Sequence, residues 1–308
     1  MKQIIFALLA LLCHSFLFAY IDFTYHLKPI QVAQNTYVFV GKSEYFSVKN
    51  GGNIVNTAFI ITDKGVVVID TGSSHLYGTQ MLEQIRELTD KPILHIFNTH
   101  HHPDHFLGNS AFEEGKIWAS EYTSEYIKNS YEDYLLLLSR LILDWSKGTS
   151  VKNPTHILRS KYLQVGKHKL KILHLEGHTK SDIAIFDERT KVLFASDLVF
   201  YNRAVAMANA NISQWKKSLG VLEKLPYKVL VPGHGTIVKD KKPFAQMNRY
   251  LDFLDKTMIT SFAKGLTVHE ILKLKKPQEF QKIEMLNEEL ERSIMQLQKA
   301  YQGAEYSQ

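Results

Sequence analysis

Cysteine is almost absent from this chain: Cys13 is the one thiol in 308 residues. A disulfide framework and a cysteine-ligated metal centre are both excluded on that count. Apolar runs long enough to span a bilayer are also missing at the N-terminus, where Ile4 to Leu12 is too short and His14 and Ser15 break the pattern beyond it. There is no dense Lys/Arg stripe with interleaved aromatics, which excludes a nucleic-acid footprint. Nor does any Ser or Cys constellation offer a side-chain nucleophile, and no internal repeat or low-complexity stretch interrupts the chain.

Residues 1–19 form a separate unit, with Lys2, an apolar core from Ile4 to Leu12 and a small residue at Ala19. This outline predicts a secretory signal peptide, a periplasmic or secreted mature chain beginning at Tyr20, and no stable membrane anchor after cleavage. An uncleaved N-terminal anchor is the alternative; the bulky Leu12 before Cys13 speaks against a lipid-attachment site. Losing Lys2 takes the formal charge from +6 to +5. That mild excess hints at anionic ligands or a membrane surface, but a merely basic surface accounts for it better.

The densest chemistry lies at Thr99-His100-His101-His102-Pro103-Asp104-His105, which reads His-x-His-x-Asp-His from His100. Imidazole and carboxylate together suit zinc, iron or manganese at neutral pH. In an extended segment His101 points away from its neighbours, so it is not counted as a ligand. Further candidates come after apolar runs that read as strands: His178 after Leu170 to Leu175, Asp197 after Val192 to Ala195, and His234 after Val229 to Val231. Upstream, the run Val66 to Ile69 ends in Asp70-Thr71-Gly72. Gly177, Gly233 and Gly235 flank ligand histidines and are expected to allow tight backbone turns.

These motifs, in this order, resemble the metallo-β-lactamase superfamily over residues 35–240. The stretches Asn53 to Phe59, Asn98 to Phe112 and Ser196 to Arg203 resemble its exported quinoprotein relay-system zinc metallohydrolases, which are similar to the sulfur-oxidation-associated hydrolases. The resemblance implies an α/β fold, an αββα sandwich, over residues 20–240. It also implies two zinc ions, with iron or manganese as alternatives. His100, His102 and His178 would hold one ion, Asp104, His105 and His234 the other, and Asp197 would bridge. Two cations sharing a water lower its pKa from about 15.7 toward 7, and Asp104 would orient the resulting hydroxide as a catalytic group. Asp70 would fix the tautomer of a ligand histidine, with Thr179 a further candidate for such support.

The implied function is hydrolysis of an ester, thioester or lactone-type bond in a small-molecule substrate. A β-lactam hydrolase and a non-catalytic metal-binding accessory protein are the alternatives. The lysine that grips the β-lactam carboxylate in one zinc β-lactamase subclass would fall at Phe200 here, and a cysteine of that subclass at Asp197. Tyr201 and Arg203 are candidate substrate residues, for an oxyanion and a carboxylate respectively. The Tyr- and Leu-rich stretch Glu121 to Trp145 is either a roof over the cleft or a packing helix. Beyond residue 240 the pattern turns helical: a capping box at Thr267 to Glu270 and an apolar stripe of Leu286, Leu290, Ile294 and Leu297. Residues 241–308 therefore read as a helical extension that packs on the domain or forms a homo-oligomer contact.

Overall fold

A computed structural model describes residues 23–302. The signal segment read at residues 1–19, with Cys13, lies outside the described residues. The first sheet holds β1 (Ile30–Ala33), β2 (Thr36–Phe39), β3 (Thr57–Ile61), β4 (Val66–Ile69), β5 (Ile93–Phe97), β6 (Lys116–Ala119) and β7 (His156–Ile157) in sequence order. Its pairs are antiparallel as far as β4 and parallel beyond it. The second sheet runs β12 (Val229–Gly235), β11 (Val192–Tyr201), β10 (Asp182–Asp187), β9 (His168–Leu175) and β8 (Tyr162–Val165). Its pairs are antiparallel except for β11 with β12.

Continuous apolar runs such as Val66–Ile69 are buried at every residue because both faces of their sheet are covered. Between the sheets, Ile60, Ile69 and Phe97 share one buried cluster with Ile172, Ile183, Phe194 and Val231. On the outer face of the first sheet lies α1 (His75–Leu88), which buries Tyr77, Met81 and Ile85 at four-residue spacing against Phe59, Val68 and Ile96. Two helices precede the second sheet, the single turn α2 (Pro103–Phe106) and the long α3 (Glu121–Ile142). The outer face of that sheet carries α4 (Ile212–Glu223), α5 (Lys242–Phe262), α6 (Val268–Leu272) and α7 (Leu286–Gln302). The architecture is the αββα sandwich expected from the sequence, with a C-terminal helical extension.

The extension shares its core with the sandwich. Leu286, Leu290, Ile294 and Leu297 join Trp215, Val199 and Tyr250 in one cluster, so this apolar stripe is covered by the chain itself. The start of α6 is the expected capping box, with Thr267 and Glu270 bonding reciprocally. Two backbone hydrogen bonds, Ala204 N–H to the Glu284 carbonyl and Glu284 N–H to the Asn202 carbonyl, tie the approach to α7 to the end of β11. The sheets are also laced together at one end. Asn56, just before β3, donates its side-chain amide to the carbonyls of Pro232 (2.9 Å) and Gly235 (3.0 Å) in β12.

Among the described residues no helix is long and apolar enough to cross a membrane. Because α7 belongs to the common core, Leu290→Ala is expected to lower stability by about 2–5 kcal/mol. In urea unfolding followed by circular dichroism, the single main transition should move to lower denaturant. An unmoved main transition would mean that α7 is a separable appendage.

Candidate metal centre

The run of histidines leaves β5, bends at His100 and His101 and turns into α2 at Pro103, the first helical position, where proline costs no hydrogen bond. His100 and His102 converge on one side. His101 turns away and lies over Tyr126, with ring centroids 3.9 Å apart and, among the described residues, no hydrogen-bond partner for either ring nitrogen. The single turn of α2 then delivers Asp104 and His105. Asp70 ends β4 with φ at 57°, a left-handed conformation that aspartate tolerates better than most residues. His178 comes just after β9, as expected.

Asp197 and His234 lie inside β11 and β12, where the sequence pattern puts each just beyond a strand. The register of β11 against β12 shifts on both sides of Ser196, whose φ is 47°. A bulge of this kind re-aims the side chain after it, here Asp197. Gly233 serves closeness and not the turn expected of it: its φ is not positive, and a Cβ there would collide with the Asp197 carboxylate.

Two convergent groups result: His100, His102, His178 and Asp197 in one, and Asp104, His105 and His234 in the other. Within each, the ligand atoms lie within 4.8 Å of one another. The Asp197 carboxylate reaches into both. Its Oδ2 is 3.2 Å from His178 Nε2 and 3.4 Å from His234 Nε2, and its Oδ1 is 3.2 Å from His105 Nε2. Asp104 Oδ2 stands 3.3 Å from His234 Nε2.

Four of the five rings are oriented through the nitrogen that faces away from the centre. His105 Nδ1–H donates to Asp70 Oδ2 (2.8 Å), and His234 Nδ1–H to the Ile54 carbonyl (2.7 Å). His102 Nε2–H donates to Asn209 Oδ1 (2.9 Å) and His100 Nδ1–H to Thr99 Oγ1 (3.1 Å). Asp70 is itself fixed by the Thr99 N–H (2.9 Å) and hydroxyl (2.8 Å). Such partners set tautomer and ring direction. Thr179 does not take the part expected of it. Its hydroxyl donates to Asp182 Oδ1 (2.7 Å), and among the described residues His178 Nδ1 has no hydrogen-bond partner.

Burial pushes the imidazoles of His100, His102 and His178 down, so they stay neutral with lone pairs to offer. His105 and His234 are buried as well, but Asp197 and Asp104 outweigh burial and raise both. In turn the histidines hold Asp104 at about 2 despite its burial, and hold Asp197 well below the usual carboxylate range. His100 Nε2, His105 Nε2 and Asp197 Oδ1 are buried with no hydrogen-bond partner among the described residues. Unpaired buried polar atoms are costly unless something fills the gap. Five imidazoles and two carboxylates suit zinc, and also iron or manganese.

This floor opens into a cleft. From α3 come Tyr126, Tyr134 and Leu137, so the Tyr- and Leu-rich stretch does wall the site. Tyr45, Phe46 and, from α7, Glu289, Arg292 and Gln296 line the same cleft. Tyr201 does not line the cleft; it is half-buried at the end of β11. Arg203 does line it, but its side chain is only 2% exposed, and its guanidinium pairs with Glu289 Oε1 at 3.0 Å and donates to the Ala204 carbonyl at 2.8 Å. A group so engaged is not free for a substrate carboxylate. Sequence reasoning missed Asn209, Glu289 and Arg292, none of which belongs to a motif.

The neighbouring carboxylates make His105 and His234 hold a proton more readily than a free imidazole, and a cation must displace any proton held there. Affinity for Zn2+ should therefore rise with pH, by about tenfold per unit for each proton released. Calorimetric titration against a competing chelator across pH 5.5 to 8, values on the order of the usual working range, reads this directly. Asp70→Asn should weaken the tighter binding by about 10–100-fold. A pH-independent affinity would contradict the charge arrangement.

The family model of the metallo-beta-lactamase superfamily matches residues 50–234, more than half of the chain and the whole run from Asp70 to His234. The chain is 27% identical over 188 residues to the metallo-beta-lactamase IND-1 of Chryseobacterium indologenes, covering 58% of this chain and 71% of that protein. It is 23% identical over 223 residues to the acyl-coenzyme A thioesterase MBLAC2 of Homo sapiens, covering 65% and 80%. Among solved structures, a metallo-beta-lactamase from Pontibacter korlensis superposes with a TM-score of 0.60 at 20% identity, over 73% of this chain and 99% of its own. With the matched segment carrying both ligand groups on the matching fold, the chain belongs to the metallo-beta-lactamase superfamily.

Proposed function

We propose that this superfamily hydrolase binds two zinc ions, or iron or manganese in their place, and cleaves an ester, thioester or lactone-type bond. The observation that carries this reading is the pair of ligand groups joined through Asp197, with orphaned buried donor atoms at the floor of an open cleft. His100, His102 and His178 would hold one ion, Asp104, His105 and His234 the other, with Asp197 shared. Two such cations supply Lewis acidity toward the substrate oxygen and a water acidic enough to react near neutral pH.

The chain's own residues do the rest. Asp104 stays ionised, so it is an acceptor able to orient an attacking water by hydrogen bonding. Asp70, Asn209 and the Ile54 carbonyl keep three ligand rings aimed inward, so that no side chain reorganises during turnover. Tyr126, Tyr134 and Leu137 shield one side of the cleft from water and offer a surface for an apolar group.

A thioester is within the class because a relative of this chain is an acyl-coenzyme A thioesterase. A β-lactam substrate is the second reading, favoured by the likeness to IND-1. Against it stands Phe200, buried and stacked on the His234 ring at 5.1 Å, where a carboxylate-gripping lysine would be needed. A non-catalytic accessory role is disfavoured because no ligand position is lost. The leader-like residues 1–19 support export to the periplasm or beyond, in keeping with the exported branch that the flanking sequence resembles.

Zinc-loaded protein beginning at Tyr20 should hydrolyse an aryl ester, an acyl thioester or a lactone, and a chelator should stop it. Asp104→Ala should lower kcat/KM by about 10²–10⁴-fold while metal analysis still finds the ion of the His100 group. Turnover confined to a chromogenic cephalosporin would install the β-lactam reading. No turnover of any of the four by fully loaded protein would overturn the hydrolase assignment.

A further inference from the structure

Helix α7 presents two faces. Leu286, Leu290, Ile294 and Leu297 enter the core, while Glu289, Arg292 and Gln296, at helical spacing on the other side, line the cleft. Glu289 Oε1 is held by Arg203 at 3.0 Å. Arg292 is in a different situation. Its guanidinium carbon lies 3.6 Å from the centroid of the Tyr45 ring, a stacking contact that fixes the side chain against the cleft wall. Its Nε is 4.0 Å from Glu289 Oε2, beyond hydrogen-bond reach, and its side chain is one-third exposed. Among the described residues no acceptor lies within hydrogen-bond distance of this guanidinium. A planar fork of donors is thus held against Tyr45 with Glu289 as a longer-range counter-charge and no hydrogen-bond partner among the described residues, in the same cleft as Asp104, Asp197 and His234.

The same cleft is also lined by Tyr126, Tyr134 and Leu137 of α3. A lining of this kind asks for a ligand that carries both an oxyanion and an apolar group. A guanidinium matches a carboxylate in a way that a neutral amide cannot. We propose that Arg292 binds the anionic group of the substrate, and that the substrates of this hydrolase are carboxylate-bearing compounds with an apolar moiety. This deepens the hydrolase reading and rests on it. It gives to α7, which lies beyond the family-matched residues 50–234, the role that the sequence suggests for Arg203.

The test is equilibrium binding, which needs no turnover. Titration calorimetry of zinc-loaded protein would compare 4-phenylbutyrate with its neutral amide. The wild type should prefer the carboxylate by about tenfold or more. Arg292→Ala should bring the ratio to within about twofold, and Arg292→Lys should give an intermediate value because it keeps charge without the fork. Arg292→Gln, which retains a planar group over Tyr45, should behave like the alanine variant and serves if that variant is unstable.

A wild-type protein without the preference would overturn the proposal. So would a preference that survives in Arg292→Ala, since the carboxylate would then be held by the metals. Tighter binding of the matching phosphonate would overturn the carboxylate assignment. Arg292-dependent carboxylate binding by a protein that hydrolyses none of the esters, thioesters or lactones would sink the hydrolase reading alone. Turnover without anion preference would sink this inference alone.

Discussion

Burying the Asp197 carboxylate is the constraint around which the rest is arranged. A lone carboxylate at 3% exposure carries a desolvation cost of several kcal/mol. Three imidazole nitrogens within 3.2 to 3.4 Å offset that cost, and each of those histidines is buried by the same packing. Neither side of this arrangement is stable without the other. The bulge at Ser196 and the missing side chain at Gly233 exist at the point where the backbone must make room for it.

The sandwich meets that demand by drawing ligands from both sheets. Asp70 and the His100 to His102 segment leave the first sheet, and His178, Asp197 and His234 belong to the second or come directly after one of its strands. Rigid strand ends define directions better than loops do, which is what a site sensitive to fractions of an ångström needs. Long-range hydrogen bonds from Asn56 to β12 and from the Ile183 N–H to the Thr99 carbonyl (2.9 Å) prevent one sheet from sliding over the other.

What can be read in the sequence is local. Val66–Ile69 announces a doubly covered strand by its own composition, Thr267 to Glu270 announces a helix start, and His-x-His-x-Asp-His puts its ligating residues within six positions. The illegible parts depend on distance or on backbone. Arg203 reads as available because its partner Glu289 is 86 residues away. The Ile54 carbonyl that orients His234 leaves no trace in residue type. Thr179 reads as suited to support His178, but Asp182 three residues on captures its hydroxyl first, a short-range competition typical of threonine near aspartate. Asp197 reads as lying beyond its strand because a bulge with a left-handed serine is not visible in an apolar pattern.

The Asn56 clasp has a mechanical corollary. With the sheets pinned at the site end, the gap across which His100 and His105 face His178, Asp197 and His234 is set by the thickness of the side-chain layer between them. Ile69, Phe97, Phe194 and Val231 belong to that layer and lie next to the ligand-bearing segments in sequence. They act as spacers. A methyl group gained or lost there changes the separation of the two halves of the centre, so residues far from any substrate share in fixing its geometry.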